Sequence, residues 1–176
     1  MASKQSWYVT ERAEALAALY LTRRKDLEVI PVGRYETDYP LDLLVTVKSG
    51  DKLGDASFGI EVKGVRKEGR GAKGQFRTSY SLREVHDRGL PICTFLFAVD
   101  DEQGYYRWLL EPVVSPDGNA HLKLNLDIPA DAKWQQNEFA LRSQFAPLSD
   151  ESIGALIEQV LRWYHLKDSH RRFIAD

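Results

Sequence analysis

Glu61, Val62 and Lys63 form an acid-x-lysine triplet inside an apolar run, and Asp42 heads a second apolar run upstream. Side chains alternate along a strand, so Glu61 and Lys63 point to one face and Val62 to the other. If the runs at 42–48 and 57–65 pair as neighbouring strands, an aspartate, a glutamate and a lysine converge. Two carboxylates can hold a hard cation such as Mg²⁺ through oxygen. A lysine beside them can orient a water or offset the charge that develops on a phosphate. Metal-assisted cleavage of a phosphodiester uses that set of groups. An acid and a base two apart also fit the solvated face of an ordinary strand, because alternation is the default for half-buried strands.

The elements that must position these residues follow from local pattern. Thr10 can cap a helix over 11–21, rich in alanine and leucine, with Arg23, Arg24 and Lys25 suited to its negative C-terminal end. A short strand is predicted at 27–32, ended by Gly33, then a polar connection carrying Pro40. The strands at 42–48 and 57–65 form a hairpin with a loose loop over 49–55. A helix is expected at 75–87. The continuous apolar run 91–99 predicts a central strand buried on both faces, and 105–110 pairs with it through a turn at 101–104. Residues 121–128 alternate as a half-exposed strand. The stretch 131–144 is ambiguous, with Trp134 and Phe139 as packing residues. Ser149 or Asp150 can cap a closing helix at 153–165, whose stripe is Ile153, Leu156, Ile157, Val160, Leu161 and Tyr164. The charged tail from Lys167 to Asp176 is expected to fray. This order predicts an α/β or α+β fold, a mixed central sheet flanked by helices.

With 176 residues, the chain is expected to form a single domain over 1–176 with a substantial core. A formal net charge of −2 gives no global attraction for nucleic acid, so any such binding rests on local fields. Cys93, the single cysteine, excludes an internal disulfide and fits a reducing compartment. Its apolar surroundings in sequence make it a small buried hydrophobe. No leader-like segment at the N-terminus and no stretch of bilayer length is present, which predicts a cytoplasmic protein without membrane partners. There is no P-loop, zinc-cysteine set or Ser-His-Asp order. His165 and His170, five apart, fall off one helix face and make a poor metal pair. His86 and His121 have no identifiable partner. Trp7, Trp108, Trp134 and Trp163 are expected as core or interface aromatics.

The layout resembles that of the PD-(D/E)XK (restriction-endonuclease-like) nuclease superfamily. The residues that carry the resemblance are Glu14 on the first helix, Asp38-Tyr39-Pro40-Leu41-Asp42-Leu43, and Phe58-Gly59-Ile60-Glu61-Val62-Lys63-Gly64. More narrowly, the two strand motifs look like an uncharacterised bacterial branch, a domain of unknown function often associated with phage defence. The resemblance covers about residues 10–110; the C-terminal strand and helices of 111–176 match no motif. Leu41 separates Pro40 from Asp42, so the proline-aspartate pair is imperfect, and Glu61 stands where members of the branch often carry glutamine.

The resemblance implies a restriction-endonuclease-like core and a Mg²⁺- or Mn²⁺-dependent endonuclease, a phosphodiester hydrolase acting on DNA ahead of RNA, as a defence effector. It implies in-line attack of water that leaves a 3′-hydroxyl. Asp42 and Glu61 would be metal ligands, with the Val62 carbonyl as a further one. Lys63 would position or activate the water, and Glu14 would sit near the metal. The alternative is a catalytically inactive module of the same fold that binds nucleic acid or a partner protein. An unrelated α/β domain, with these groups as surface charges, is a third reading.

Directly after the triplet comes a basic, glycine-rich segment. Residues 63–88 carry Lys63, Arg66, Lys67, Arg70, Lys73, Arg77, Arg83 and Arg88 against Glu68, Glu84 and Asp87. Glycines let backbone N–H groups approach phosphates, and the cations supply sequence-independent attraction. Arg66, Lys67, Arg70, Lys73 and Arg77 are therefore candidate DNA contacts; a solvated loop has the same composition. Gln75 and Tyr80 resemble a Gln-Tyr pair of some exonuclease members, one residue further apart. Without a separate recognition domain, target choice would fall to a homodimer or a partner protein.

Overall fold

The apolar run 92–98 becomes the middle of a seven-stranded mixed sheet. The computed structural model of the chain describes residues 6–32, 41–49, 52–66, 89–125 and 145–174. Strands β1 (Leu27–Pro31), β2 (Leu43–Ser49), β3 (Lys52–Val65), β4 (Ile92–Ala98), β5 (Gln103–Val114) and β6 (Ala120–Leu124) follow one another across the sheet in chain order. The short β7 (Ala146–Pro147) pairs with β5 beside them. Every pairing is antiparallel except β3 with β4. A parallel pair needs a crossover connection, and residues 66–91 supply it. Within that connection 67–88, and with them the helix expected at 75–87, lie outside the described residues, as do Trp134 and Phe139.

Alternation decides where the core sits. Val45, Phe58, Ile60, Val62, Phe95, Phe97 and Trp108 share one face of the sheet and form one cluster with residues of both helices. Helix α1 (Ser6–Thr22) contributes Ala13, Leu16, Ala17 and Leu21, and helix α2 (Asp150–Ile174) contributes Ile153, Leu156, Ile157 and Val160. A smaller cluster of Leu41, Ile92, Leu109 and Leu110 gathers separately. β4 is buried on both faces, as its composition predicts. The architecture is α+β, a mostly antiparallel mixed sheet with helices packed on it. Among the described residues no helix is long and apolar enough to cross a membrane.

Several element boundaries differ from local pattern, each for a tertiary reason. α1 starts at Ser6 rather than after Thr10, because Val9 in its first turn already packs against β3 at Gly64. β2 and β3 stay paired through Lys48–Leu53 and Ser49–Lys52, so the connection between them is short and not the loose loop of 49–55. The ladder continues through turn-like residues, with a register shift between Thr46 and Lys48 absorbing the mismatch. β5 extends to Val114 because β6 pairs along its second half.

α2 is capped by Ser149. The Ser152 amide donates to Ser149 Oγ at 3.1 Å and the Ser149 amide donates to Ser152 Oγ at 2.8 Å, a reciprocal box. α2 runs on to Ile174 instead of ending near His165. Its buried stripe includes Trp163, 2% exposed, and leaves Leu161 42% exposed. Trp163 Nε1 donates to the His121 carbonyl at 3.0 Å, which gives the indole its polar partner and draws it inward. Trp7, by contrast, is 65% exposed and is no core residue.

Candidate active site

β2 begins only at Leu43 while its antiparallel neighbour β3 runs on past it to Val65, and the site forms at that step. The Asp42 amide donates to the Ile60 carbonyl at 2.9 Å, and the Asp42 carbonyl accepts from the Val32 amide at 2.9 Å. Its side chain then takes over where the ladder stops: Oδ2 accepts from the Val62 amide at 2.6 Å. With its amide on Ile60 and its carboxylate on Val62, Asp42 flanks Glu61, whose charge it feels.

Glu61 is 3% exposed. A buried carboxylate is costly unless it is paired and hydrogen-bonded. Here Lys63 Nζ lies 2.7 Å from Oε1 and Thr94 Oγ1 donates to Oε2 at 3.1 Å. Lys63 reaches Glu61 because the two stand two apart on β3 and so share a face. Its side chain keeps 34% exposure, so one end of this buried pair opens to solvent.

Asp42 is half-buried, and burial pushes its pKa above the ordinary carboxylate value. The Val62 amide and the Lys63 charge oppose that rise, while the Glu14 and Glu61 charges add to it. Glu14 therefore lies within electrostatic reach of Asp42, although it comes from α1. The reason α1 can approach is Gly64. A Cβ there would meet the Val9 carbonyl oxygen at 2.6 Å, Val9 Cγ1 at 2.8 Å and Ala13 Cβ at 3.0 Å. Gly59 has a matching role beneath Leu41, whose methyl carbons would lie 2.5 and 2.7 Å from an added Cβ. The two glycines of the Phe-Gly-Ile-Glu-Val-Lys-Gly strand thus allow close approach on either side of the triplet.

Gly64→Ala is expected to push α1 off β3, because the nearest atom is backbone and cannot swing aside. Overpacking of this kind costs about 1–3 kcal/mol. A thermal melt should fall by roughly 2–4 °C per kcal/mol for a chain of this size, and an unchanged melt would contradict the close approach.

The structure brings together Asp42, Glu61 and Lys63, with Val62 between them, while Glu14 reaches Asp42 only through its charge. Arg66 is exposed, with Nε 3.4 Å from Asp100 Oδ1. Lys67, Arg70, Lys73 and Arg77 lie outside the described residues, as do Gln75, Tyr80 and His86. His121 is exposed on β6 and His165 on α2. Cys93 is fully buried, burial pushes its thiol pKa up, and its Sγ lies 3.2 Å from the Arg107 carbonyl. It is an inert core residue.

Thr94 was not among the residues singled out by sequence. Its signal was that it is the lone hydroxyl in the apolar strand 92–98. Thr94→Val keeps the shape and removes the hydroxyl that Glu61 Oε2 accepts. Loss of such a bond in a buried site costs about 1–3 kcal/mol, read as a lower melt. Thr94→Ser should restore the melt, which separates the hydrogen bond from packing.

The donor chemistry fits a hard divalent cation. Among the described residues no group of three or more Asp, Glu, His or Cys side chains is gathered closely enough to hold an ion. Mg²⁺, however, binds through one or two carboxylates and keeps several waters. Asp42 and Glu61 supply two, and a cation would offset the charges of Glu14 and Glu61 that act on Asp42. No protein-family model matches the chain, and a search of curated proteins finds no match.

Proposed function

We propose that the protein is a metal-dependent nuclease with a restriction-endonuclease-like core, hydrolysing phosphodiester bonds in DNA ahead of RNA. The observation that carries this reading is the burial of Glu61 at 3% exposure, with Lys63 on one oxygen and Thr94 on the other, beside a half-buried Asp42. A solvated strand face leaves its charges in water. Here the charge is taken out of water, which costs energy that an unrelated surface pair would not incur.

In this reading Asp42, Glu61 and the Val62 carbonyl hold Mg²⁺ or Mn²⁺. When bound, the ion lowers the pKa of a water and polarises a phosphoryl oxygen. Lys63 supplies the remaining positive charge. Its ammonium can hold the attacking water by its oxygen and offset the negative charge gathering on the phosphoryl group. The water oxygen bonds to phosphorus, the bond from phosphorus to the 3′ oxygen breaks, and the departing oxygen takes up a proton. The products are a 5′-phosphate and a 3′-hydroxyl. Glu14 acts from α1 by biasing Asp42. A second copy or a partner protein selects the target, in keeping with the phage-defence role that the resemblance implies.

The test is cleavage of supercoiled, linear and single-stranded DNA and of RNA, with Mg²⁺, Mn²⁺ or EDTA, beside Glu61→Ala. Cutting that vanishes with EDTA and in the variant supports the reading and names the substrate. Absence of cutting on every substrate favours the non-cutting binding module, and Mn²⁺ calorimetry then shows whether the site binds metal.

A further inference from the structure

Helix α1 buries Ala13, Leu16, Ala17 and Leu21 in the core. A surface helix normally turns charged and polar residues outward, whereas α1 turns a largely apolar face outward as well. At about 3.6 residues per turn, Trp7, Tyr8, Glu11, Ala15, Leu19 and Thr22 share one arc, on the side away from those four. Trp7 is 65%, Tyr8 46% and Leu19 52% exposed, and Ala15 is exposed with them.

The polar groups at the margins of this arc are engaged elsewhere. Arg12 Nε donates to the Val99 carbonyl at 3.2 Å, and its Nη2 pairs with Glu102. Arg23 lies over the Tyr20 ring, its Cζ 5.0 Å from the centroid. Thr22 Oγ1 donates to the Ala18 carbonyl at 2.7 Å, which satisfies the hydroxyl within the helix. Trp7 and Tyr8 stand edge to face, with ring centroids 6.3 Å apart. Within the arc Glu11 is the one charge. At about 200 Å² for a large aromatic side chain, Trp7, Tyr8 and Leu19 leave on the order of 300 Å² in water. Contiguous apolar patches of that scale mark contact sites.

We propose that this arc of α1 is the contact between two copies of the chain, packed antiparallel about a two-fold axis at the height of Ala13. A two-fold contact uses one patch twice, so the patch must fit itself. Positions 7 and 19 are equidistant from 13, about 9 Å along the helix to either side. Trp7 of one copy then meets Leu19 of the other, and Tyr8 lies beside that pair. Glu11 meets Ala15 of the other copy, so no like charges are opposed, and the small Ala15 lets the helices approach to about 8–10 Å. A patch built for an unrelated protein has no need of this self-match. Two copies bring together on the order of 600 Å² from these side chains, over half of the roughly 1,000 Å² that a specific interface buries. The flanks of the two helices supply the remainder. The proposal stands independently of the nuclease reading.

The experiment is sedimentation equilibrium of the full chain from about 1 to 200 µM, a range that resolves micromolar dissociation constants. It compares the unmodified protein with Trp7→Lys, with Leu19→Glu, and with the double variant carrying both. All three variants change exposed residues, and far-UV circular dichroism establishes that each is folded. The unmodified protein is expected to pass from one chain to two as concentration rises. Each single variant should weaken the dimer about 30-fold or more, the scale of losing a central apolar anchor. In the double variant each new lysine faces a new glutamate of the other copy, twice over. It should therefore dimerise about 3- to 10-fold more tightly than either single variant at low salt, and that gain should vanish at high salt.

The proposal is overturned if the unmodified protein stays a single chain throughout, in which case the patch serves a different partner. It is also overturned if either single variant dimerises as tightly as the unmodified protein, because the contact then lies elsewhere. A double variant no tighter than the single ones overturns it too, since positions 7 and 19 then do not meet. None of these results bears on the nuclease reading, because the variants leave Asp42, Glu61 and Lys63 in place.

Discussion

Lys63→Met should abolish cleavage and destabilise the protein at the same time. Glu61 is 3% exposed and its Oε1 lies 2.7 Å from Lys63 Nζ. Removing one member of a buried pair leaves the other as a charge without its counter-ion, at about 3–5 kcal/mol when burial is complete. Lys63 is 34% exposed, so solvent screening reduces the expected loss to about 1–3 kcal/mol. Cleavage should fall about 1000-fold, the scale of losing one preorganised charge in a dry site. The double variant Glu61→Gln with Lys63→Met separates the two effects. It has no buried carboxylate at position 61, so its melt should recover most of the loss while cleavage stays absent. Were the pair an ordinary surface contact, Lys63→Met would leave both the melt and the rate where they were, and cutting at the unmodified rate would sink the mechanism.

The same residues show what a one-dimensional pattern can carry. Alternation alone sets Glu61 and Lys63 on one face, and the unbroken apolar run 92–98 predicts the doubly buried β4. The neighbourhood of Asp42 and Glu61 follows once β2 and β3 are read as a hairpin. Thr94 was beyond reach for a definite reason. It meets Glu61 through a parallel pairing, and the crossover between β3 and β4 leaves no local signal that sets their register. Glu14 was legible only through the resemblance, because its approach depends on how closely α1 packs over Gly64. Trp163 displaced Leu161 from the stripe of α2 because its indole found the His121 carbonyl, a partner 42 residues away. The hairpin loop was overestimated because Gly50, Asp51, Gly54 and Asp55 resemble a turn in composition, whereas pairing extends to Lys52. In each case a contact distant in sequence overrode a local preference.

Asp42→Asn should move activity and stability in opposite directions. The Asp42 pKa is raised, first by burial, against the pull of the Val62 amide and Lys63, and further by Glu14 and Glu61. A raised value means that the unfolded chain ionises first as pH climbs. Stability is therefore lost between the unfolded value, about 3.9, and the higher folded value, and the loss is complete above it. Asparagine does not titrate, and its Oδ1 can still accept from the Val62 amide that Asp42 Oδ2 meets at 2.6 Å. The variant should match the unmodified protein at acid pH and melt at a higher temperature than it at neutral pH. Cleavage should drop about 1000-fold, since a neutral amide is a poor ligand for a hard cation. Mn²⁺ supplies the decisive comparison. An ion that binds only the folded state stabilises by mass action, so the unmodified protein should gain in its melt with Mn²⁺ while Asp42→Asn does not. Equal melts across the whole pH range, with and without Mn²⁺, would mean that Asp42 holds no unfavourable charge for a cation to relieve, and the metal site would have to lie elsewhere.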